Sequence, residues 1–427
     1  MKIIGPFSQL LTMRSLDLQG PLQDDQLEIL TNSAIAIEGD KIFDIGNFDD
    51  LRKKYPQAEI EEITSPAVAL PGFIDAHTHI CFAGDRANDY ALRSSGKSYL
   101  EIAQSGGGIW STVQKTREAS LETLVELTAA RANRHLLDGI TTIEVKSGYG
   151  LSVAEELKML RAIKLAQENL SDFSANNAQK NHLKLQKCKA DLISTCLAAH
   201  MKPKDFTGSA AEYLQQISQE LFPILRAENL ANRIDIFIEK TAFSIDEARQ
   251  YLAAARAMNF DITIHADQFS VGGSALAVEF AALSADHLEM SSQQEIELIA
   301  ASNVVAVALP GSSYGLGIYN MTPARKLLDA GAIVAIASDW NPGSAPMGDL
   351  LAQAAMFGIY EKLSAAEVFA ALTFRAAKAL KLSDRGVIEK GMLADFQLYP
   401  LDNYKKILYN QGKIKPFAVY KSGVRFS

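Results

Sequence analysis

Cysteine is scarce in this chain of 427 residues, which has three: Cys81, Cys188 and Cys196. No two of them form a CxxC pair, so the sequence predicts neither a disulfide framework nor a thiolate zinc cluster. Because free thiols persist in reducing compartments, this composition favours a cytoplasmic protein. The N-terminal residues also lack a sustained apolar segment followed by a cleavage site, which argues against a secretion signal.

Long apolar runs and an excess of positive charge are also lacking. The strongest apolar runs, such as 304–309 and 332–337, are far shorter than the ~20 residues that cross a bilayer, so we expect no membrane partner. The formal net charge of −8 argues against a surface that neutralises nucleic-acid phosphates. With 48% hydrophobic and 22% charged residues, the composition is instead that of an ordinary soluble globular enzyme.

Eight apolar runs alternate with helical stretches after Pro71, which is the pattern of βα units around a buried parallel sheet. Between the first two runs, apolar residues recur at helical spacing from Leu121 to Leu136, and Gly139 can end that helix. Eight such alternations predict an α/β fold with a (β/α)₈ TIM barrel. The runs cover residues 68–75, 141–146, 192–199, 234–238, 262–265, 284–287, 304–309 and 333–337.

Both ends of the chain show a different pattern, with short strands. Residues 32–45 alternate around a Gly-Asp turn, which predicts a hairpin with one solvated face. Residues 391–399 and 417–420 return to short strands, which we expect to pair with the N-terminal hairpins. The chain is also longer than one compact core requires. The predicted domains are a small β-sandwich from residues 1–67 and 383–427, and a barrel over residues 68–382.

Histidines and one aspartate stand where predicted strands end. His77 and His79 follow the first strand, and because residues two apart on a strand project to the same side, both imidazoles can reach one ion. His265 follows the run DITI, and Asp339 follows IVAIAS. Catalytic groups of TIM barrels come from the carboxyl ends of the strands, so we predict that these four residues bind one metal ion. The alternative is a set of buried histidines with ordinary hydrogen-bond partners.

The predicted ligands indicate the metal and its chemistry. Three imidazoles and a carboxylate suit Zn²⁺ or Fe²⁺, and a catalytic site keeps one position open for water. Such a cation lowers the pKa of that water and polarises a carbonyl, which predicts hydrolysis at an amide-like carbon. Asp339 can accept the proton of the attacking water and return it to the leaving nitrogen. His287, at another strand end, can donate a hydrogen bond to the developing oxyanion, or it can merely orient Asp339.

Longer motifs connect the chain with a known family. They are PGFIDAHTH, DAHTHICFAGDRANDY, SGGGIWSTVQKTREAS, EVKSGYGL, HADQF, SDWNPGSAP and GMLADF. Together they resemble the amidohydrolase superfamily and, within it, the imidazolonepropionase family, over nearly the whole chain. The resemblance implies hydrolytic opening of the 4-imidazolone-5-propanoate ring to N-formimidoyl-L-glutamate, a step of histidine degradation. It also implies a homodimer.

The resemblance further implies which residues contact this small-molecule substrate. Arg86 offers a planar fork for the propionate carboxylate, and the alternative is an ordinary surface arginine. For His200, a position behind the site without substrate contact is nearly as good an explanation. For the NPGS turn, the alternative is that its residues serve only to form the turn. Gln268 stands where some relatives have Glu, and because Gln cannot take a proton, it leaves Asp339 as the base. The implied contact residues are Arg86, Tyr149, His200, Gln268, Asn341, Gly343 and Ser344.

Three other features have simpler interpretations. Lys146 and Lys240 lie near strand ends, and in related hydrolases a carboxylated lysine bridges two metals, but a second metal is not favoured here. The glycine run 106–108 lacks the GK pair of a phosphate-binding loop, and we expect a close-packed loop near the site. The polar run 171–191 is expected to be an exposed excursion without a catalytic role.

Two alternative functions stay open at this point. Another amidohydrolase, such as a cytosine or guanine deaminase, would share the metal ligands but would replace Arg86 by groups that recognise a base. A catalytically inactive barrel would serve as an interaction or structural protein. Arg86 and the SGYG loop favour the ring-opening hydrolase, and the complete set of metal ligands argues against an inactive barrel.

Overall fold

The computed structural model describes residues 1–97, 101, 106–168 and 189–426. Within these ranges the strands, numbered in chain order, are β1 (Lys2–Phe7), β2 (Gln9–Leu11), β3 (Ile29–Leu30), β4 (Ser33–Glu38), β5 (Lys41–Asn47), β6 (Glu59–Glu62), β7 (Val68–Pro71), β8 (Phe73–Asp75), β9 (Ile140–Lys146), β10 (Asp191–Ala199), β11 (Arg233–Ile236), β12 (Asp261–Ala266), β13 (Ser284–His287), β14 (Val305–Ala308), β15 (Ile333–Ile336), β16 (Phe396–Tyr399), β17 (Ala418–Lys421) and β18 (Val424–Arg425).

Helices follow most of the central strands. Those of the described residues are α1 (Phe48–Lys54), α2 (Ala87–Ser94), α3 (Ile109–Glu118), α4 (Leu121–Leu137), α5 (Val153–Gln167), α6 (Ala210–Gln216), α7 (Phe222–Ala227), α8 (Ile245–Ala257), α9 (Gly273–Glu279), α10 (Gln293–Ala300), α11 (Pro310–Leu316), α12 (Ala324–Asp329), α13 (Leu350–Tyr360), α14 (Ala365–Leu372), α15 (Phe374–Ala379) and α16 (Lys405–Tyr409). A 3₁₀ helix covers Asp24–Gln26, and a π-helical turn covers Ile217–Leu221.

Strands β8 to β15 form a parallel sheet of eight described strands in chain order, and helices pack around it. Parallel neighbours need a crossover connection, which α5 supplies between β9 and β10. Every residue of β14 and β15 is buried, because helices cover one face and the barrel interior covers the other. This arrangement confirms the predicted (β/α)₈ barrel.

The barrel closes between its first and last strands, just beyond their carboxyl ends. The backbone N–H of Asp339 donates to the carbonyl of His77 over 3.0 Å. The N–H of His79 donates to the carbonyl of Trp340 over 2.9 Å, and a parallel bridge joins Thr78 to Trp340. The contacts that close the barrel are therefore made by residues that the sequence predicts as metal ligands, or by their direct neighbours.

Helix α4 shows how the local sequence sets the bounds of a helix. Ser120 precedes it, and the Ser120 Oγ accepts a hydrogen bond from the backbone N–H of Thr123 over 3.1 Å. Gly139 follows its last turn with a φ of 91°, a left-handed conformation that favours glycine. Leu124 and Leu136 are buried on its inner face. The predicted helix and its termination near Gly139 are confirmed.

The bounds predicted for the first barrel strand, residues 68–75, are wrong because the run splits at Gly72. Strand β7 pairs with β2 and β16 in a terminal sheet, and β8 alone pairs with β9 in the barrel. The N–H of Gly72 donates to the carbonyl of Asp395 over 2.9 Å, and a Cβ at this position would lie 2.5 Å from the Thr141 side chain. Glycine thus permits a close passage where the chain changes partners. The other seven predicted strands agree with β9 to β15 to within two residues at each end.

Two smaller sheets are built from the ends of the chain, one from N-terminal strands alone and one from strands of both ends. In the described residues one has the order β5-β4-β1-β6 and the other β18-β17-β16-β7-β2-β3. They share a core that includes Ile35, Phe396 and Tyr420, and the last two rings stack with centroids 4.3 Å apart. The predicted hairpin is β4 and β5, and the start of the predicted strand 391–399 pairs with it, as the N–H of Ile42 donates to the carbonyl of Met392 over 2.9 Å. The later part of that segment, β16, pairs with β7 and β17. The β-sandwich predicted from both chain ends is confirmed.

The polar run predicted over residues 171–191 lies outside the described residues as far as residue 188. In the part of the chain that the structure describes, no helix combines the length and the apolar character needed to span a membrane. Cys81 and Cys196 are buried free thiols, and Cys188 lies outside the described residues.

Candidate active site

Three imidazoles converge at the carboxyl edge of the barrel. Among the described residues, His77, His79 and His265 form one group whose possible ligand atoms all lie within 4.8 Å of one another, and each side chain is buried. The Nε2 atoms of His77 and His79 are 3.2 Å apart. The Oδ1 of Asp339 lies 3.4 Å from Nε2 of His79 and 3.7 Å from Nε2 of His77. The structure therefore brings the four predicted metal ligands together.

The spacing of these atoms fits a single cation. Nitrogen ligands at about 2.0–2.1 Å from a Zn²⁺ ion lie at most about 4.2 Å apart. The separations between His77, His79 and Asp339 are all shorter than this limit, whereas the group that includes His265 extends to 4.8 Å, so His265 has to approach slightly to share the same ion. The Nε2 of His265 is buried and makes no hydrogen bond to any described atom, which is costly for a polar group that binds no ligand. Both observations are those expected of a site for a divalent cation.

Two of the three imidazoles, those of His77 and His265, are held neutral, as metal ligands must be. Burial, and after it the positive charge of Lys146, hold the pKa of His77 well below its ordinary value. Burial also lowers the pKa of His265 to about 4. For Asp339, burial opposes the charge, but the hydrogen bond and the charge of His79 outweigh this effect and lower the pKa. The site therefore combines the neutral nitrogens of His77 and His265 with the ionised carboxylate of Asp339.

Carboxylates behind the histidines determine which ring nitrogen faces the site. The Nδ1 of His77 lies 2.6 Å from Oδ2 of Asp286, and the Nδ1 of His265 lies 3.0 Å from Oδ2 of Asp235. The hydrogen bond occupies Nδ1 of His77, so its Nε2 lone pair points into the site. The contact of His265 with Asp235 is close but lacks hydrogen-bond geometry. Sequence reasoning missed both acids. An Asp inside a fully buried strand is a rare placement, and this signal was present in β11 and β13.

Asp339 and His287 have unusual backbone conformations. Their φ angles are 48° and 87°, in the left-handed region that residues other than glycine rarely adopt. Each lies at or just beyond the end of a barrel strand, where the chain turns away, and the hydroxyl of Thr322 donates to the carbonyl of His287. Such conformations persist where the surrounding structure enforces them, and they concentrate at functional sites.

His287 lies beside the predicted metal ligands and has its own carboxylate partner. Its ring centroid is 5.4 Å from that of His265, and its Nδ1 is 3.2 Å from Oε1 of Glu289. Burial disfavours the imidazolium, but the charge of Glu289 outweighs it and raises the pKa of His287. A protonated ring keeps an N–H for donation toward the site, as an oxyanion donor requires.

Tyr149 lies on the SGYG loop, which a single carboxylate organises. Glu156 accepts hydrogen bonds from the backbone N–H groups of Gly148, Gly150 and Leu151 over 3.0, 2.8 and 2.7 Å. These donors stand on both sides of Tyr149, whose ring centroid lies 6.0 Å from that of His79, a predicted metal ligand. Burial raises the pKa of the Tyr149 phenol, so the hydroxyl stays protonated and can donate a hydrogen bond.

His200 stacks on one of the predicted metal ligands. Its ring centroid lies 5.6 Å from that of His79, with an angle of 22° between the planes. The Nδ1 of His200 lies 3.0 Å from the carbonyl of Gly148, and because a carbonyl only accepts, Nδ1 carries the hydrogen. Burial, followed by the neighbouring histidines, lowers the pKa of His200 to about 3. The neutral ring thus offers Nε2 as an acceptor.

A cavity of about 440 Å³ opens next to Trp340, at the seam of the barrel. Its lining includes Arg86, Arg131 and Gly343. The Nε of Arg86 donates to Oδ2 of Asp89 over 2.6 Å, and a Cβ added at Gly343 would overlap Nη1 of Arg86. The Arg86 side chain is 8% exposed, which is not the exposure of an ordinary surface arginine. The structure therefore brings Arg86 and the NPGS turn to one cavity.

The NPGS turn is held together by the side chain of Asn341. Its Nδ2 donates to the carbonyl of Asp339 over 2.7 Å and to Oγ of Ser344 over 2.9 Å. Its Oδ1 accepts from the backbone N–H groups of Gly343 and Ser344 over 2.7 and 2.8 Å. These four hydrogen bonds engage both N–H donors and the acceptor oxygen of the amide, so all four partners lie within the turn. Asn341 shapes the turn in this structure, and its contact with a substrate stays a prediction.

Gln268 lies on the loop between β12 and α9. Its Nε2 donates to Oγ of Ser312 over 3.3 Å, a contact that crosses to the segment following β14. The preceding residue, Asp267, has a φ of 53° and accepts the backbone N–H of Gly273 over 2.9 Å. Gln268 is buried. The loop thus presents an oriented amide, and its substrate contact stays a prediction.

Comparison with known proteins identifies the family. The model of the amidohydrolase family matches residues 102–424, and that of an imidazolonepropionase-like composite domain from bacteria matches residues 34–58. A protein named imidazolonepropionase from Fusobacterium nucleatum is 37% identical over 426 residues, covering 99% of this chain and 97% of its own. The chain belongs to the imidazolonepropionase family. Another imidazolonepropionase, from Shewanella sediminis, is 38% identical over 402 residues, with 92% and 93% of the two chains covered.

Solved structures with the same fold as this imidazolonepropionase family member include more distant hydrolases. Guanine deaminase from C. acetobutylicum superposes with a TM-score of 0.67 at 17% identity, covering 100% of both chains. Atrazine chlorohydrolase from Arthrobacter aurescens, in complex with zinc, gives a TM-score of 0.64 at 16% identity, covering 100% of this chain and 95% of its own. At such low identity the likeness establishes a shared fold alone.

Proposed function

We propose that this chain opens the ring of 4-imidazolone-5-propanoate with water to give N-formimidoyl-L-glutamate. Relatives named imidazolonepropionase align with it over nearly its whole length. The observation that carries the proposal is the convergence of three imidazoles and Asp339 at the barrel seam. Trp340, which follows Asp339 in the chain, lines the cavity that contains Arg86. Ring opening by water needs a base, an oxyanion donor and a group that binds the propionate, and this site offers each of them.

The ligand set fits one divalent cation, either Zn²⁺ or Fe²⁺. His77, His79, His265 and Asp339 would hold it through neutral nitrogens and one carboxylate oxygen. When bound, such a cation polarises a carbonyl and lowers the pKa of a water molecule toward neutrality. Both metals accept this ligand set, so elemental analysis of the purified protein identifies the resident one.

Asp339 is the proposed general base and acid. Its carboxylate is ionised, and its Oδ1 is oriented 3.4 Å from Nε2 of His79. It accepts the proton of the attacking water and then delivers it to the leaving ring nitrogen. Gln268 cannot exchange a proton, which leaves Asp339 as the carboxyl group for both transfers.

His287 is the proposed oxyanion donor. Glu289 contacts its Nδ1 at 3.2 Å and favours the protonated ring, which retains an N–H on the other nitrogen. A hydrogen bond aimed at the developing oxyanion stabilises the transition state more than the ground state, and one such donor contributes about 10²–10³ in kcat. His287 thus assists the attack without binding the cation.

Arg86 is the proposed partner of the propionate carboxylate. Asp89 binds its Nε, so the two terminal nitrogens can form a bidentate pair with a carboxylate. Tyr149 and His200 lie beside His79, where a hydroxyl donor and an imidazole acceptor can orient the ring. The remaining proposed contacts come from Gln268, Asn341, Gly343 and Ser344.

The proposed reaction is tested by following the loss of substrate absorbance with metal-replete protein. We expect turnover that a strong chelator abolishes and that Zn²⁺ or Fe²⁺ restores. Guanine serves as the control substrate, because a deaminase with the same fold would convert it. Metal-replete protein that leaves the imidazolone unchanged contradicts the proposal, and conversion of guanine instead would replace it.

We further propose a homodimer that acts in the cytoplasm without a nucleic-acid or membrane partner. The low cysteine content and the net charge of −8 support the compartment and the absence of nucleic acid, and the family likeness supports the dimer. Analytical ultracentrifugation should give about twice the chain mass of 46.5 kDa. A single species at the mass of one chain contradicts the dimer.

A further inference from the structure

Lys146 ends β9 directly beneath the converging histidines and has no exposed surface. Its Nζ lies 2.8 Å from Oε1 of Glu144, 2.9 Å from Oδ2 of Asp235 and 3.7 Å from Oδ2 of Asp286. A buried ammonium is costly unless carboxylates surround it closely, and here three do so. The three acids come from three different barrel strands, so Lys146 joins β9, β11 and β13 at one point.

Two of these acids also contact a predicted metal ligand. Asp286 Oδ2, which faces Lys146, is the atom that lies 2.6 Å from Nδ1 of His77. Asp235 Oδ2, which also faces Lys146, lies 3.0 Å from Nδ1 of His265. One oxygen in each carboxylate is therefore shared between the ammonium and an imidazole.

The third acid reaches the remaining histidine through the backbone. Glu144 Oε2 accepts the N–H of Thr78 over 3.3 Å, and the hydroxyl of Thr78 donates to the carbonyl of Glu144 over 2.6 Å. The backbone N–H of Lys146 donates to the carbonyl of Thr78 over 2.9 Å. Since Thr78 stands between His77 and His79, these bonds hold the segment that presents both rings.

We infer that Lys146 is a positioning residue for the metal site, which acts by holding Asp235 and Asp286 against the imidazoles of His265 and His77. Without the ammonium, Asp286 keeps the hydroxyl of Thr263 as a second donor and Asp235 keeps the backbone N–H of Ile236, but each carboxylate loses its cationic partner. Each is then held less firmly against its histidine, and the Nε2 atoms lose their common focus. Carboxylates behind a ligating histidine contribute about 10- to 100-fold to metal affinity. A side chain that orients two such carboxylates affects two ligands at once. A carboxylated Lys146 would place an anion among three acids, which these contacts disfavour.

The experiment measures cation affinity without any substrate. Metal-free wild type and Lys146→Met are titrated with Zn²⁺ against a chromophoric chelator, and we expect the variant to bind about 10- to 100-fold more weakly. Met approximates the length of Lys and removes its charge. Lys240→Met is the matched control, because Lys240 also follows a barrel strand but is exposed, and its affinity should equal that of wild type. Wild-type affinity in Lys146→Met overturns the inference.

A second variant covers the case in which Lys146→Met does not fold. Lys146→Met combined with Glu144→Gln removes one positive and one negative charge, so the buried charge balance is kept. If Lys146 acts through Asp235 and Asp286, the double variant still binds Zn²⁺ at least 10-fold more weakly than Glu144→Gln alone. If Lys146 only neutralises Glu144, the two affinities are equal and the inference is wrong.

A third variant tests whether the effect passes through the carboxylate. Asp286→Asn should weaken Zn²⁺ binding by itself, and adding it to the double variant should cause a smaller further loss, because the two substitutions disrupt one contact. Fully additive losses contradict the inference.

The inference rests on the proposed function only in that the site holds a divalent cation. The two failures can be told apart. If the variants bind Zn²⁺ weakly and the wild type binds Zn²⁺ but does not open the imidazolone ring, the proposed reaction is contradicted while the inference stands.

Discussion

Asp89 holds Arg86 in place, with 2.6 Å between its Oδ2 and the Nε of the guanidinium. The same oxygen accepts the backbone N–H of Gly108 over 2.9 Å, which attaches the glycine run before α3 to the arginine. This link explains why a glycine-rich loop that lacks phosphate-binding features lies near the site. It also leaves the terminal nitrogens of Arg86 directed away from Asp89, beside the cavity of about 440 Å³.

Arg86→Met is expected to raise KM without a comparable change in kcat. Loss of a buried charge pair with the propionate costs about 2–4 kcal/mol, which corresponds to about 30- to 700-fold in KM. Steady-state kinetics with the imidazolone measures the change. Arg52→Met is the control, because Arg52 lies on α1 in the terminal domain and is exposed. An unchanged KM in Arg86→Met would assign Arg86 a structural role alone.

Gly343→Ala is expected to raise KM through Arg86. A Cβ at Gly343 overlaps Nη1 of Arg86, the tip of a movable side chain, so the guanidinium should shift while the fold tolerates the methyl group. We expect a KM increase of about 10-fold, on the order of 1.4 kcal/mol, with an unchanged melting temperature. In the Arg86→Met background the same substitution should have little effect. Equal effects in both backgrounds would show that Gly343 acts independently of Arg86.

Asp339→Asn is expected to lower kcat by about 10²–10⁴, because the amide cannot carry the proton from water to the leaving nitrogen. The protein is assayed after loading with excess Zn²⁺ or Fe²⁺, and its metal content is measured, so that lost binding is separated from lost proton transfer. Asp329→Asn, at an exposed carboxylate paired with Arg325, is the control. A metal-loaded Asp339→Asn protein with wild-type kcat would exclude Asp339 as the base.

Glu156→Gln is expected to disturb the SGYG loop and to raise KM. The carboxylate accepts three backbone N–H groups, and an amide in its place turns its own NH₂ toward at least one of them. A buried donor left without an acceptor costs about 1–3 kcal/mol, so thermal unfolding should also occur at a lower temperature. Glu155→Gln, at a more exposed neighbour, is the control. If Tyr149→Phe and Glu156→Gln raise KM additively, the loop does not act through Tyr149.

Much of the site was predictable because strand ends are visible in the sequence. Apolar runs separated by helical stretches mark parallel strands that are buried on both faces, and the carboxyl ends of such strands meet at one edge. His77, His79, His265 and Asp339 each follow such a run, which was enough to place them together. The first strand was misjudged because nothing within residues 68–75 shows that β7 pairs with β16, more than 300 residues further along the chain.

By itself, the sequence determined the barrel and the family and predicted the metal ligands, because each depends on local periodicity, residue type and short motifs. The tertiary structure alone decided what stands behind those ligands. His77 and Asp286 are 209 positions apart, and their contact exists only because closure of the barrel brings β8 and β13 around one interior. The same packing places Lys146 between acids of three strands and Gly343 against Arg86. Such contacts depend on which residues lie close together in the folded protein, and no pattern along the chain specifies them.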